Sequence, residues 1–444
     1  MNWQKAEKKA QHWIYQPEKD ILACNLCPNR CKLNDNQTGI CGVRKRVGNE
    51  LFSLNYGYCI CPVIEKIETE AVFHFQPGAP ILSMGNIGCN MKCSFCQNWE
   101  TSQVAHLDNK QVRYMSPRET VGLAVANQVK IISWTYNDPV VWHEYVTETS
   151  RLARKEGILT LYKSALNIEP EPIAELIDCI DIFSISLKTM DENIYRKVMK
   201  GSLQSVLNGI RQIYNSGKHL ELSQLVVTKL NDTSEHAVRT ADWILQNLNE
   251  NVPLHFVSYH PAYKYTEERT SFQVIEMMCK TARNLGIKNC YAGNIFGENL
   301  SNTYCKKCEN LLVQRTGLSV FSRGLDSHGH CLACKHKSPV QNFLDFKMPG
   351  FDTEKFVPLL VLEKEWNTHH SFHLVMLDIY ADDVDVRIQR LPCEETEYFR
   401  MRKGLGRLLI SRKNIQEQKI SVTLDKDVRA ELVPLLDRAH FPTI

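Results

Sequence analysis

GCNMKCSFCQNW, residues 88–99, decides how the rest of the chain is read. Its cysteines, Cys89, Cys93 and Cys96, are spaced C-x3-C-x2-C and directly follow an apolar run, Ile81 to Ile87, that reads as a strand. Thiols this close together in a reducing compartment read as metal ligands rather than disulfide partners. The set is incomplete. A structural zinc site wants four ligands, and so does a cluster that only carries electrons. Three thiolates can instead hold three irons of a 4Fe-4S cubane and leave the fourth iron open. The competing reading is a zinc ion completed by a distant His. The spacing, Phe95 before the last cysteine and the strand context all favour the cluster.

From Pro80 onward, short β-branched runs alternate with helical stretches. Strands are expected at Lys130–Thr135, Ile158–Tyr162, Ile180–Leu187, Leu220–Val227, Leu254–Ser258 and Asn289–Ala292. Helices are expected at Val140–Lys155, Glu171–Cys179, Leu203–Ser216, Ser234–Leu248 and Phe272–Leu285. This alternation means βαβ units and a parallel sheet. Six or so such units suit an open or partial barrel with its functional groups at the C-terminal ends of the strands. An open iron on such a loop is what activation of S-adenosylmethionine requires. The iron takes the methionine amino and carboxylate groups, and one electron cleaves the C5′–S bond. That electron calls for a low-potential donor such as flavodoxin or ferredoxin.

At 444 residues the chain exceeds the size of one ordinary core. Residues 1–79 form an N-terminal cysteine-rich region, 80–300 the α/β barrel, 301–340 a second cysteine-rich segment, and 341–444 a small α/β domain. In the last, strands are expected at Phe372–Tyr380, Asp385–Arg390 and Lys419–Leu424, and a helix at Lys426–Arg438. The net charge of +3 neither demands nor excludes a nucleic-acid partner. No apolar run approaches the roughly 18 residues of a membrane span. Met1–Tyr15 also lacks the apolar core of a signal peptide. A cytoplasmic protein with no membrane partner is expected.

Two further cysteine groups flank the barrel. Cys24, Cys27, Cys31 and Cys41 supply four thiolates, which suit either a single zinc or iron ion or an auxiliary Fe–S cluster. Cys305-x2-Cys308 and Cys331-x2-Cys334, with 22 residues between the pairs, read as a zinc ribbon. His328, His330 and His336 lie close by and read as surface residues or partners of the ligands. Cys59, Cys61, Cys179, Cys279, Cys290 and Cys393 fall outside these groups and read mostly as small buried hydrophobes.

The segment SMGNIGCNMKCSFCQNWETSQ, residues 83–103, resembles the cluster loop of the AmmeMemoRadiSam-system radical SAM proteins, relatives of the pyruvate formate-lyase activating enzymes. The resemblance covers roughly residues 20–335. It includes CNLCPNRCKL and GICGVR near the N-terminus, Ile64–Gly78, Thr135–Pro139, Ser258–Pro261, Gly293-Asn294 and Asn302–Cys305. It implies a partial (β/α)6 barrel and a 5′-deoxyadenosyl radical. It also places Tyr136, Asn137 and Asp138 where relatives bind the amino group of S-adenosylmethionine, with Asn294 a further cofactor candidate. Asp138 stands for the family's usual Glu and reads equally as a helix N-cap before Pro139. Tyr162–Leu166 departs from the family's Thr-Asn-Gly turn, and Ser186 replaces an acid before Lys188. Ser186 and Lys188 are candidates for the cofactor's ribose or carboxylate. Lys163 and Lys188 read equally as solvated charges on the barrel rim.

His260, at the end of the Leu254–Ser258 strand, is a candidate to position substrate or donate a proton, with Tyr259 and Tyr263 lining the pocket. His255 reads as a core residue. The leading function is hydrogen abstraction from a peptide, RNA or small molecule. An activator that installs a glycyl radical in a partner protein is the variant within that class. A non-catalytic metal module recognising nucleic acid or protein is the reading from another class, and it rests on the ribbon and on the basic tail residues Arg387, Arg390, Arg400, Arg402, Lys403, Arg407, Arg412 and Lys413. A charge run of this kind is more often a solvated face.

Overall fold

The computed structural model describes residues 7–295 and 299–341, apart from 317, 318, 323 and 327, and then 360–365, 374–379, 384–391, 395–401, 407–411, 419–424 and 430–435. At its centre lie seven parallel strands: β1 (Pro80–Gly85), β2 (Ile131–Thr135), β3 (Leu159–Ser164), β4 (Ile182–Ser186), β5 (His219–Val226), β6 (Leu254–Ser258) and β7 (Cys290–Gly293). Each pairs with its neighbour in sequence, so a helix returns the chain between every two strands. These helices are α1 (Pro117–Ala126), α2 (His143–Lys155), α3 (Pro170–Cys179), α4 (Leu203–Asn215), α5 (Ser234–Asn247) and α6 (Phe272–Leu285). The mixed α/β fold with a parallel sheet is the one expected. Strands such as β2 and β4 are buried along their whole length, because helices cover one face and the barrel interior packs against the other.

The helix α1 is absent from the pattern read above, although its start carries a signal. Ser116 and Glu119 close a capping box around Pro117. The sheet also begins earlier than the boundary expected at residue 80. Tyr58–Lys66 runs antiparallel to β1, with a register shift between Ile60 and Val63. Pro62 sits at that irregularity, where a missing N–H costs no ladder bond, and it hides the strand from a simple pattern.

Residues 67–79 close the N-terminal end of the barrel. Ile67, Val72, Phe75 and Ala79 pack on Ile81, Ile131, Leu161 and Ile182, the first apolar layer inside the strands. Above this floor the interior turns polar. Glu70 accepts hydrogen bonds from Ser133 (3.0 Å) and Thr135 (2.8 Å). Glu221 accepts from the N–H groups of Phe73 and His74 and lies against His219 (2.9 Å) and His255 (2.8 Å). His255 is thus a core residue, as expected.

The ribbon segment is fastened under this floor. Its strands Thr303–Tyr304, Leu311–Thr316 and Ser319–Ser322 form one antiparallel sheet. From it the buried Arg315 donates to the Phe73 carbonyl (2.7 Å) and lies 3.5 Å from Glu68. The ribbon therefore sits at the opposite end of the barrel from the cysteine loop after β1. Cys59, Cys179, Cys279 and Cys290 are buried, as small hydrophobes should be. Cys393 lies outside the described residues, as does the placement of the Cys61 side chain.

The C-terminal region differs from expectation. Its three expected strands are present, but the helix expected over Lys426–Arg438 gives way to a strand, Ala430–Leu435, paired with Leu374–Ile379. Pro434 would remove a helical hydrogen bond and clash with the preceding turn. All described residues after 360 are strands, in two sheets. Arg387, Arg390 and Arg407 lie on these strands, whereas Arg402, Lys403, Arg412 and Lys413 lie outside the described residues.

Candidate active site

The loop leaving β1 is held in place before it reaches its first cysteine. The Asn137 side chain accepts from the Asn86 N–H (3.1 Å) and donates to the carbonyls of Asn86 (2.6 Å) and Gly88 (2.9 Å). Gly88 has φ +85°, and a Cβ there would lie 2.6 Å from the Cys41 carbonyl oxygen. Only glycine satisfies both conditions. The loop is then pinned by the Lys92 N–H to the Met199 carbonyl (2.7 Å), and by Asn98 to the Tyr136 carbonyl (2.6 Å). Residues 259–265 cover it from the other side. Tyr263 stacks on Trp99, and Phe95 meets Tyr265 edge to face.

Cys89, Cys93 and Cys96 are each half-buried on this loop. Burial pushes the Cys89 thiol well up and Cys93 to about 12, and neighbouring thiols add to both. Cys96 also rises through burial, and Lys188 opposes the shift at Cys93 and Cys96. Burial thus disfavours the thiolate form at all three positions. A bound cation would supply the missing positive charge, since coordinated thiols are deprotonated. The residues therefore fit a thiolate-ligated iron group.

The four ribbon thiols converge differently. Cys305 and Cys334 are 3.5 Å apart, Cys308 and Cys331 are 3.6 Å apart, and all four sulfurs lie within 4.8 Å of one another. No ring of His328, His330 or His336 joins them. The N–H groups of Cys334 and Ala333 pull Cys331 down to about 6. Cys24, Cys27, Cys31 and Cys41 are gathered beside the active loop. Asn29 links them to it by donating to the Asn90 carbonyl (2.7 Å). They do not converge to within 4.8 Å as the ribbon thiols do, and neither do the three central cysteines.

The remaining candidates divide into those that face the barrel mouth and those committed to holding the loop. Ser186 meets Ser223, its register partner on the neighbouring strand β5, at 3.3 Å. Lys188 is fixed by its backbone to Tyr195 (3.0 Å) and Asn231 (2.7 Å), close enough to Cys93 and Cys96 for its charge to act on both. Lys163 is no rim charge. It reaches into the barrel, donating to Ser223 (3.0 Å), Ser184 (3.1 Å) and the Glu70 carbonyl (3.2 Å). Burial pushes Lys163 down and Glu70 up, and the charge of each opposes the shift of the other. His260 stands beside the cysteine loop, with Nδ1 3.0 Å from Gln97 and Nε2 buried without a hydrogen-bond partner. Burial pushes the pKa of this ring down, and Arg269 adds to the shift. Tyr259 points elsewhere, donating to the Tyr265 carbonyl (2.8 Å), so its hydroxyl braces the covering loop instead of lining the mouth. Asn294 has φ +56°, and its carbonyl accepts from Arg269.

Asp138 is more heavily used than either reading anticipated. One oxygen caps the turn after it at the Val140 N–H (3.2 Å) and accepts from Ser164 (2.7 Å), and the other accepts from the Ala165 N–H (3.0 Å). A plain N-cap would tolerate Asn, but here both oxygens are needed. Asp138→Asn turns an amide N–H toward a buried N–H and should cost about 1–3 kcal/mol of stability. Chemical denaturation measures this directly, and an unchanged unfolding free energy would contradict this hydrogen-bond count. Tyr136, at φ +68°, places its ring against Gly85 and its hydroxyl on Glu65 (2.9 Å). Sequence reasoning missed Glu65, Glu70, Gln97 and Asn86. Single buried polar residues carry no spacing signal, and only the fold shows what they meet.

No helix among the described residues is long and apolar enough to cross a membrane. The Radical SAM superfamily model matches residues 86–244, from the start of the cysteine loop into α5. An uncharacterized protein of Methanocaldococcus jannaschii is 33% identical over 295 residues, 66% of this chain and 87% of that one. The (2S)-3-sulfopropanediol dehydratase activating enzyme of Klebsiella oxytoca is 25% identical over 115 residues, 26% of this chain and 36% of that enzyme. Among solved structures, a domain of pyruvate-formate lyase-activating enzyme from Bacteroides vulgatus ATCC 8482 aligns at 14% identity and TM-score 0.33, over 36% of this chain and 98% of that one. With its three-cysteine loop inside the matched region and its parallel-stranded core, the chain belongs to the radical SAM superfamily.

Proposed function

We propose that this protein is an enzyme that cleaves S-adenosylmethionine reductively and removes a hydrogen atom from a substrate admitted through the barrel mouth. The observation that carries this reading is the three-thiol loop at the C-terminal end of β1, opening onto a polar interior whose far end is closed. A 4Fe-4S cluster bound by Cys89, Cys93 and Cys96 would supply one-electron cleavage of the C5′–S bond. The chain's own part is to bind and orient. Asn137, Gly88 and Asn98 fix the loop, the 67–79 floor excludes water from below, and Lys188 offers positive charge to a carboxylate near the thiols. Ser186, with Ser223 beside it, offers hydroxyls to a ribose. His260, with Nε2 unpartnered, is placed to exchange a proton at the mouth.

The ribbon thiols, at single-ion spacing, are assigned to zinc, and the wider N-terminal set to an auxiliary Fe–S cluster next to Gly88. A low-potential flavodoxin or ferredoxin would supply electrons. Modification of a peptide, RNA or small molecule is preferred as the overall reaction, because a minimal activating enzyme needs neither ribbon nor tail. Activation of a glycyl-radical partner is the second reading, favoured by the likeness to the Klebsiella activating enzyme. The test is release of 5′-deoxyadenosine by reconstituted protein given S-adenosylmethionine and a strong reductant, and no release would end the proposal. For the ribbon, Cys334→Ser should lower bound zinc by about one equivalent while the iron spectrum survives. Unchanged zinc would reduce these cysteines to packing.

A further inference from the structure

Away from the barrel mouth, three ligand-bearing side chains from three separate segments meet at the seam between the N-terminal region and the barrel wall. His12 precedes the strand Trp13–Gln16, His143 opens α2, and Glu175 lies midway along α3. His143 Nε2 is 3.0 Å from Glu175 Oε2, His12 Nε2 is 3.3 Å from Glu175 Oε1, and the two Nε2 atoms are 3.3 Å apart.

Hydrogen bonding alone does not satisfy this triangle. If both rings donate from Nε2 to the carboxylate, two N–H groups face each other across 3.3 Å. If His12 takes the other tautomer, its lone pair faces a carboxylate oxygen instead. In either arrangement like polarity meets like. A cation resolves both, because the two Nε2 atoms and the carboxylate then present lone pairs to one centre. The 3.3 Å between the two Nε2 atoms agrees as well, since ligands about 2.0–2.1 Å from a tetrahedral zinc lie roughly 3.3–3.4 Å from each other.

The surroundings hold this arrangement ready. His12 adopts φ +56°, a left-handed conformation that a non-glycine residue keeps only when its neighbours enforce it. Its carbonyl accepts from the Asn25 N–H (2.7 Å). The preceding residue is tied to the barrel by its N–H to Glu144 (2.8 Å), and Glu144 forms a buried ion pair with Arg44 (2.8 Å). That pair neutralises the buried cation Arg44 next to the site. The His143 side chain is fully buried, whereas Glu175 is 37% exposed, which leaves a path for an ion and a water.

We propose that His12, His143 and Glu175 bind one divalent cation of the zinc class, its fourth position open to water, and that this ion staples the N-terminal region to helices α2 and α3. Nothing in this proposal depends on the cysteine sites or on the reaction. The test uses full-length protein, stripped of weakly held metal and dialysed against zinc chloride. Wild type should bind about one zinc more per chain than His12→Ala or Glu175→Gln, with iron and sulfide unchanged. Added zinc should raise the melting temperature of wild type by a few degrees and leave both variants unmoved. Cobalt(II) gives a second readout: wild type should show an added d–d absorption without extra sulfur-to-metal charge transfer, and Glu175→Gln should lack it. Equal zinc content in all three folded proteins, or an equal melting response, would overturn the proposal. It would leave the triangle as a hydrogen-bonded seam.

Discussion

Replacing Cys89, Cys93 and Cys96 together by Ala is expected to reduce release of 5′-deoxyadenosine to background. The loss should be complete rather than graded. A single substitution leaves two thiolates that can retain part of an iron group, whereas the triple variant has no local ligand. The fold should survive, because the loop is held by contacts that do not involve sulfur. Asn137 clamps Asn86 and Gly88, Asn98 reaches the Tyr136 carbonyl, and Lys92 is bonded to Met199. Removing three half-buried thiols whose ionisation burial opposes should not by itself destabilise the metal-free protein. Far-UV circular dichroism is therefore the control. Continued cleavage by a folded triple variant would refute the assignment of these residues.

The largest stability effect is expected at Glu221. Its carboxylate is fully buried and serves the N–H groups of Phe73 and His74 and the rings of His219 and His255 together. Glu221→Ala leaves all four without an acceptor, and loss of one partner from a buried charged network costs about 3–5 kcal/mol. That is a large part of the roughly 5–15 kcal/mol by which domains are stable. Glu221→Gln keeps one acceptor oxygen and should lose less. The pH dependence follows from the same contacts. Although burial alone would raise it, hydrogen bonds from His219 and His255 hold this carboxyl well below the ordinary range. A depressed carboxyl contributes stability that is present above its unfolded value, about 4.3, and lost as pH falls through the folded value. Wild type should therefore lose stability below about pH 4.3 more steeply than Glu221→Gln. Denaturation curves of equal slope for the two proteins in that range would contradict this role.

The sequence by itself determined the alternation of the core. Its strands are buried on both faces, so each reads as a short apolar run, and each helix carries its own start or stop. The cysteine spacings were equally plain, because metal ligation needs several thiols near one another in the chain and such local sets survive any folding. What the sequence left open depends on contacts between distant residues. Asp138 read as a cap or a cofactor contact, and only the arrival of Ser164 and Ala165 from β3 and the turn after it uses both of its oxygens. Lys163 read as a solvated charge, and only the barrel's curvature aims it at Glu70, Ser184 and Ser223. Pro62 concealed the antiparallel strand beside β1, and Ala430–Leu435 became a strand because a partner lay beside it. His12, His143 and Glu175 carry no common motif. They meet because α2 and α3 pack side by side and the N-terminal segment crosses them, a proximity that tertiary packing creates and residue spacing cannot encode.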